Sequence, residues 1–169
     1  MGERLARLRV PLGFLAAIVV LLLARPTRDT IAAGATIALV GEALRIWAAG
    51  HLNKSNAVTA SGPYRWSAHP LYVGSSIMGI GLAVASGRVE VAVLVAAYLA
   101  TTITAAIRSE ERFLRTRFGD AYDRYRRQGV VDGQMRFSTR RAMANHEPRA
   151  VVGLVVALLL LAWKAVASE

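Results

Sequence analysis

The sequence predicts an all-α protein, an integral membrane helical bundle of about five transmembrane helices with a cytosolic amphipathic extension of the fourth helix. Three observations lead to this prediction. The 169-residue chain is 54% hydrophobic, with a mean hydropathy of +0.39, and its apolar residues are gathered in blocks. Five of these blocks approach the roughly 20 residues that a membrane-spanning helix needs. Basic residues are concentrated in alternate segments between the blocks, as expected for membrane topology.

The five predicted spans form one membrane domain over residues 1–169. They are residues 8–24, 30–49, 71–86, 89–107 and 150–167. Arginines precede the first span, as in a signal peptide, but no clear cleavage site follows it, so we interpret it as an anchor helix. The third span carries small residues at helical spacing, which favour close helix packing. The turn at residues 86–88 is short, so the third and fourth spans should form an antiparallel hairpin.

The basic residues predict an orientation. Five crossings place 16 of the 21 Lys and Arg residues on one side of the membrane and four on the other, and Arg45 lies within the second span. This asymmetry predicts a cytoplasmic N-terminus and an external C-terminus. A net charge of +10 would indicate nucleic acid in a soluble protein, but the apolar blocks favour basic loops that contact anionic lipid. We therefore predict membrane lipids as partners, and no nucleic acid.

Two further patterns concern charged and metal-binding residues. The chain has no cysteine, which excludes disulfides, thiolate metal sites and cysteine nucleophiles. The histidines, His51, His69 and His146, are scattered, so we predict no metal site. Glu42 and Arg45 are three residues apart on the second span and therefore share a helix face, where they can form an ion pair.

The fourth helix is expected to continue into the cytosol through residues 108–128. No glycine interrupts the sequence between Ile107 and Gly119. The apolar and aromatic residues of this segment fall on one side of a helix: Leu114, Phe118, Ala121, Tyr122 and Tyr125. Most of its arginines lie elsewhere, which is typical of an amphipathic helix at a membrane surface.

A polar and aromatic segment, GPYRWSAHPLYVG at residues 62–74, precedes the third span. Gly62 and Pro63 indicate a turn, and Pro70 suits the first position of a helix. The amides of that first turn favour a carboxylate or phosphate. The hairpin brings Glu110 and Glu111 to the same boundary. These groups predict a pocket for a zwitterionic cofactor that carries hydroxyls and a flat base.

A simpler interpretation of the same segment is an aromatic belt at the membrane surface. In this interpretation Tyr64, Trp66 and Tyr72 lie among the lipid headgroups, and Arg65 anchors the loop. His69 alone is more typical of a structural hydrogen-bonding residue than of a base or ligand.

The stretch SGPYRWSAHPLYVG, followed by EERFLRTRFGDAYDRYRR, resembles the isoprenylcysteine carboxyl methyltransferase family and its phospholipid methyltransferase relatives. That family is recognised by GPY-x-x-x-(R)HP-x-Y-x-G, then a double glutamate and FG-x-x-Y-x-x-Y. The match covers residues from about 50 to 128. The sequence departs from the family at Ala68, where arginine is usual, and at residues 129–133, where many members have a Val-Pro-Arg-like segment. Both departures fall where an acceptor head group could be recognised.

The resemblance implies a methyltransferase that uses S-adenosylmethionine and a lipidic or lipid-linked acceptor, either a prenylcysteine-like carboxylate or a phospholipid amine. It assigns the cofactor to residues 56–74 and 108–128. The cofactor-binding positions that it implies are Asn56, Thr59, Tyr64, His69, Pro70, Leu71, Tyr72 and Glu110. It makes Glu110 and Arg108 the candidate catalytic residues, with Arg108 holding an acceptor carboxylate. An amine acceptor must lose a proton, and Glu110 or Glu111 could then act as the base. The active site would face the cytosol of a bacterial or archaeal cell.

Adjacent helical residues point about 100° apart, so we expect Glu110 and not Glu111 to face the pocket. Glu111 would then pair with Arg108 and Arg115 along the helix.

Two other functions remain open at this stage. The chain could be a membrane protein on a similar scaffold without transferase activity, such as a reductase or a respiratory assembly protein. It could also be a structural membrane protein with a basic surface for anionic lipids. Affinity for S-adenosylmethionine distinguishes the methyltransferase from both, and affinity for a nicotinamide cofactor identifies the reductase.

Overall fold

The computed structural model describes residues 17–53, 58–128 and 136–168, and all regular structure within these ranges is helical. The all-α prediction is therefore confirmed. The helices are α1 (17–23), α2 (Arg28–His51), α3 (Pro70–Ala85), α4 (Val89–Phe118), α5 (Asp120–Gln128), α6 (Thr139–Ala144) and α7 (Glu147–Ala167). A short 3-10 helix, Gly62–Arg65, lies between α2 and α3.

Three of the described helices, α2, α4 and α7, are long and apolar enough to cross a membrane, with 24, 30 and 21 residues. Their large apolar side chains are mostly exposed, as they would be against lipid. Helix α3 is also apolar but has 16 residues, which rise about 24 Å, less than a typical hydrocarbon core of about 30 Å. The predicted first span lies largely outside the described residues, so the count of five spans stays a prediction.

Helices α2 and α3 pack antiparallel with their backbones in contact. Gly41 lies against Gly74, and Gly34 lies against Gly81. A Cβ atom at Gly41 would be 2.7 Å from the carbonyl oxygen of Gly74, and one at Gly81 would be 2.6 Å from the carbonyl oxygen of Gly34. Because neither helix has a Cβ at these points, the two backbones can approach this closely.

The predicted single helix through residue 128 is wrong, because α4 ends at Phe118. Gly119 has a φ of +47°, a left-handed conformation that glycine adopts without strain. The chain turns there, and α5 begins at Asp120. The turn buries the rings of Tyr122 and Tyr125, which a straight helix would leave on its surface.

One end of the bundle, where α2 and α4 end and α3 and α7 begin, is called the loop end below. There α6 supplies hydrogen bonds to carbonyl groups at the end of α2. The Arg141 Nε donates to the Gly50 carbonyl at 3.0 Å, and the Asn145 Nδ2 donates to the Ala49 carbonyl at 2.9 Å. Helix ends need such partners because their last carbonyls have none within the helix.

Helix α7 is held at the opposite end as well. The Lys164 Nζ donates to the carbonyls of Leu21 and Leu22 at 2.6 and 2.9 Å, so these carbonyls at the end of α1 have hydrogen-bond partners. Nearby, Leu161 packs with Ala24 and Ala85 in a buried apolar cluster. Helix α7 therefore runs the length of the bundle beside α2.

We expect Gly41→Ala to destabilise the protein by about 1–3 kcal/mol, the usual cost of overpacking a tight contact. The added Cβ would lie 2.5 Å from the Met78 amide nitrogen and 2.7 Å from the Gly74 carbonyl oxygen. Denaturant-induced unfolding in detergent micelles measures the change in the free energy of unfolding.

The matched control is Gly153→Ala on α7, where a Cβ would meet nothing within 4 Å. That substitution should be neutral or stabilising by about 0.5–1 kcal/mol, since alanine favours helix more than glycine does. Equal effects of the two substitutions would contradict backbone contact between α2 and α3.

Candidate functional site

The predicted polar segment forms a compact turn at the loop end. Gly62 has a φ of +59°, and a Cβ there would lie 2.7 Å from the imidazole ring of His51, so the turn requires glycine. Helix α3 then begins at Pro70, with His69 as its N-cap residue. Both features agree with the turn and the helix start that the sequence indicates.

His69 lies between two carboxylates of α4. Its Nδ1 atom is 3.7 Å from the Glu110 Oε2, and its Nε2 atom is 3.4 Å from the Glu111 Oε1. Burial lowers the pKa of His69, but hydrogen bonding and the negative charges of the two glutamates outweigh burial and raise the pKa overall. The site therefore favours the imidazolium form, with both ring nitrogens protonated.

The expectation that only Glu110 faces the pocket differs from the structure, in which both glutamates contact His69. The two imidazole nitrogens point in different directions, so one ring reaches both side chains despite the angle between them. Glu111 also does not form the pair with Arg115 that the sequence predicts. It pairs with the Arg126 Nη2 at 3.4 Å, while Arg115 pairs with Asp123 at 3.7 Å. The turn at Gly119 makes these pairs possible, because it brings α5 back toward α4.

Tyr64 is buried beside these carboxylates. Burial, and then the negative charge of Glu110, raise the pKa of Tyr64 well above its ordinary value, so its hydroxyl stays protonated. The backbone carbonyl of Tyr64 accepts a 2.7 Å hydrogen bond from the Tyr125 hydroxyl. Burial raises the pKa of Tyr125 to about 12, which keeps that donor protonated too.

Tyr122 places a third tyrosine hydroxyl in this region. The residue is 1% exposed, and its hydroxyl oxygen has no hydrogen-bond partner among the described residues. Burial, and then the negative charge of Glu111, raise the pKa of Tyr122, so its hydroxyl is a donor. A buried donor without a partner costs roughly 1–3 kcal/mol, which a polar ligand would relieve. We call Tyr64, His69, Glu110, Glu111 and Tyr122 the His69 site.

Three other implied cofactor residues adjoin the His69 site on α3. Pro70 is buried at the first helical position. The Leu71 carbonyl accepts a 2.9 Å hydrogen bond from the Ser75 hydroxyl. The ring of Tyr72 lies 5.9 Å from that of His69.

The described part of the structure does not bring Thr59 or Arg108 into the His69 site. Thr59 is buried, but its hydroxyl accepts a 3.1 Å hydrogen bond from the Asn53 amide and so supports the loop. Arg108 is exposed, and no described contact joins its side chain to the site. Asn56 and the departure at residues 129–133 lie outside the described residues.

The aromatic-belt interpretation fits one residue of the segment and not another. Trp66 is 78% exposed and contacts Trp47 edge-on, with ring centroids 5.4 Å apart. Tyr64, by contrast, is buried and carries a hydrogen-bonded carbonyl. The segment therefore has a surface part and an interior part.

A second group of buried charges lies beside the His69 site. Glu42 and Arg45 pair at 3.4 Å, as the sequence predicts, and Glu147 of α7 is closer still, with its Oε1 2.9 Å from the Arg45 Nε. A second guanidinium nitrogen, Nη2, donates to the Glu147 Oε2 at 3.3 Å, and Nη1 donates to the Ser75 hydroxyl. We call Glu42, Arg45, Ser75 and Glu147 the Arg45 cluster.

Sequence reasoning missed Glu147, Arg126 and the unpartnered hydroxyl of Tyr122. Glu147 has a local signal, since it is an acid at the first turn of a long apolar helix, a position that otherwise leads directly into hydrocarbon. Arg126 has none, because it reaches the site only through the turn at Gly119, and the signal for Tyr122 is its place in the FG-x-x-Y-x-x-Y motif.

We expect Tyr125→Phe to destabilise the protein by about 0.5–1.5 kcal/mol, the usual contribution of one hydrogen bond. The substitution removes the buried hydroxyl that donates to the Tyr64 carbonyl and leaves the ring in place. Unfolding in detergent measures the change. Tyr98→Phe is the control, because the Tyr98 hydroxyl makes no hydrogen bond to the described residues. A loss as large in the control would contradict the assigned role.

Comparison with known proteins identifies the family. The model of the phospholipid methyltransferase family matches residues 30–121, more than half of the chain. Two curated relatives are the cobalt-zinc-cadmium resistance protein CzcN of Cupriavidus metallidurans and the nickel-cobalt-cadmium resistance protein NccN of Alcaligenes xylosoxydans xylosoxydans. Each is 34% identical over 96 residues, which are 56% of this chain and 43% and 44% of the relatives.

The chain thus spans less than half the length of these two relatives. No solved structure matches it. The family match contains the motif residues Tyr64, His69, Glu110 and Glu111, and three helices are apolar and long enough to span a bilayer. The chain is therefore a membrane protein that belongs to the phospholipid methyltransferase family.

Proposed function

We propose that this protein transfers a methyl group from S-adenosylmethionine to a lipidic or lipid-linked acceptor. The family match supports the reaction class. The observation that carries the assignment to a site is His69, held by Glu110 and Glu111 at the start of an apolar helix. A polar site at this position suits a water-soluble cofactor and a membrane-dissolved acceptor.

The His69 site fits the chemistry of the cofactor. Its buried polar atoms without a hydrogen bond to the described residues include the Tyr122 hydroxyl and the His69 Nδ1, which lies 3.7 Å from Glu110. Both suit a ligand rich in hydroxyl and carboxylate groups. Tyr64, His69 and Glu110 would hold the cofactor, with Leu71 and Tyr72 lining it. When bound, S-adenosylmethionine supplies a methyl group on a positively charged sulfur.

The residues of the site would contribute alignment and exclusion of water, which can lower a barrier by several kcal/mol. A carboxylate acceptor has no proton to lose, whereas an amine acceptor must release one. Glu110 is suited to accept that proton, because its side chain is 38% exposed and that of Glu111 is 24% exposed and bound to Arg126. Arg108, which is exposed and makes no contact with the site among the described residues, would hold an acceptor carboxylate.

The loop end faces the cytosol in this proposal. The segments that it joins carry most of the basic residues of the chain, which favours the cytoplasmic side. The cofactor would then enter from the cytosol, and the acceptor would reach the same site from the bilayer. The chain would act as an integral, multi-pass membrane enzyme.

Methyl transfer is tested by incubating the purified protein with methyl-labelled S-adenosylmethionine and a membrane extract. We expect label in the lipid fraction. His69→Ala should weaken cofactor binding by about 1–3 kcal/mol, since it leaves a buried polar partner unpaired, and calorimetry measures this change. Glu90→Gln serves as the control, because Glu90 is 60% exposed and pairs with Arg88 at the end of the bundle opposite the loop end.

Two outcomes would count against the proposal. Wild-type protein that neither binds S-adenosylmethionine nor labels lipid would favour the family member without transferase activity, and binding of a nicotinamide cofactor would then identify a reductase. Unchanged affinity in folded His69→Ala would make His69 structural.

Substitutions of Glu110 and Glu111 should affect different properties of the protein. Glu110 lies toward Tyr64, and Glu111 connects His69 to Arg126 of α5. We expect Glu110→Gln to lower cofactor affinity and turnover more, and Glu111→Gln to lower the free energy of unfolding more. Calorimetry and detergent unfolding on both variants measure the two quantities. The reverse pattern would show that Glu111 is the ligand-facing acid.

A further inference from the structure

The Arg45 cluster contains one more acid than base. Two carboxylates, of Glu42 and Glu147, surround the guanidinium of Arg45, and each glutamate is 4% exposed. In the part of the chain that the structure describes, no other cation forms an ion pair with either carboxylate. With all three groups ionised, the cluster carries one net negative charge.

Glu42 is the carboxylate without adequate partners. Glu147 accepts a hydrogen bond from the Arg45 Nη2 at 3.3 Å, and its Oε1 forms an ion pair with the Arg45 Nε at 2.9 Å. Glu42 has only Oε2 near the guanidinium, at 3.4 Å, and neither of its oxygens accepts a hydrogen bond from a described residue. An ionised carboxylate buried this way is costly unless a donor reaches it. The geometry thus leaves an unfilled acceptor position at the Glu42 Oε1.

The Arg45 cluster is continuous with the His69 site. Arg45 donates to the Ser75 hydroxyl, which donates in turn to the carbonyl of Leu71. Gly74 makes room for this contact, because a Cβ there would lie 2.6 Å from the Arg45 Cγ. Six residues of helix separate His69 from Ser75, a rise of about 9 Å. A ligand held at His69 would therefore have to extend at least about 9 Å to place a group at the cluster.

We propose that the Arg45 cluster binds one alkylammonium group, which Glu42 receives. An ammonium carries one positive charge and up to three hydrogen-bond donors, so it supplies both the charge and the donors that the cluster lacks. An anionic group is disfavoured, because two carboxylates already face the guanidinium. The ammonium belongs either to the amino-acid part of the cofactor or to an amine acceptor, and only this choice of ligand rests on the proposed function.

The first arm of the test concerns the cofactor. Glu42→Gln keeps the shape of the side chain and removes its charge. Calorimetry with purified protein compares S-adenosylhomocysteine, which has the ammonium, with 5′-methylthioadenosine, which lacks it. If the cofactor supplies the ammonium, Glu42→Gln should weaken S-adenosylhomocysteine binding at least tenfold and leave methylthioadenosine binding unchanged, relative to Glu90→Gln.

The second arm concerns a lipid. Detergent-solubilised protein is titrated with phosphatidylethanolamine and with phosphatidylglycerol of the same acyl chains. If an amine lipid supplies the ammonium, Glu42→Gln should weaken binding of phosphatidylethanolamine at least fivefold and that of phosphatidylglycerol less than twofold. This arm needs no adenosyl ligand. It therefore still tests the cluster if the wild-type protein binds neither nucleoside and the proposed function fails.

The proposal is overturned if folded Glu42→Gln binds S-adenosylhomocysteine and phosphatidylethanolamine within twofold of the Glu90→Gln control. The cluster would then serve only to hold α7 against α2. If Glu42→Gln does not fold, Glu42→Asp replaces it in both arms. That variant keeps the charge but withdraws the carboxylate by one methylene. We therefore expect a smaller loss of affinity that is again confined to the ammonium-bearing probe. If affinity for that probe is unchanged, the proposal is overturned.

Discussion

The backbone contact between α2 and α3 is the constraint on which the rest of the structure depends. Apolar burial gives little drive for helices to associate in lipid, so association relies on close packing and polar contacts. Gly34 and Gly41 of α2 meet Gly81 and Gly74 of α3 without side chains between them. This register sets the start of α3 against the second half of α2. It thereby fixes where His69 emerges and which residue of α3 faces Arg45.

Because α2 and α3 pack in this register, polar side chains that are far apart in the sequence come into contact. Arg45 of α2 binds Ser75 of α3 and Glu147 of α7, so three helices share one buried guanidinium. A similar arrangement occurs at the surface, where His69 is held by the paired acids of α4. Helix α5 supports it with two contacts, one to the Tyr64 carbonyl and one to Glu111. Arg45, His69 and Glu111 are therefore each held by a partner from another element.

The sequence predicts those structural features whose physical cause lies in neighbouring residues. Apolar blocks located the helices, the His-Pro pair located the start of α3, and helical spacing paired Glu42 with Arg45. The sequence does not predict a feature that depends on a contact between distant parts of the chain. Nothing in the pattern of residues 108–128 shows that Gly119 takes a left-handed φ, and the contacts of α5 with the site follow from that one turn. Glu147 lies about 100 residues from Arg45, beyond the reach of any periodicity argument.

The His69 site and the Arg45 cluster differ in net charge, and this difference affects which ligand charge is favoured. In the His69 site, protonated His69 and Arg126 balance Glu110 and Glu111, so the site is close to neutral. In the Arg45 cluster a single guanidinium faces two carboxylates, so the cluster carries one negative charge in a region of low dielectric when both are ionised. Such a charge favours a ligand with one net positive charge over a neutral or anionic ligand of the same shape. S-adenosylmethionine has that net charge, while S-adenosylhomocysteine, which remains after methyl transfer, has none. The surplus carboxylate would therefore hold the methyl donor more tightly than the product.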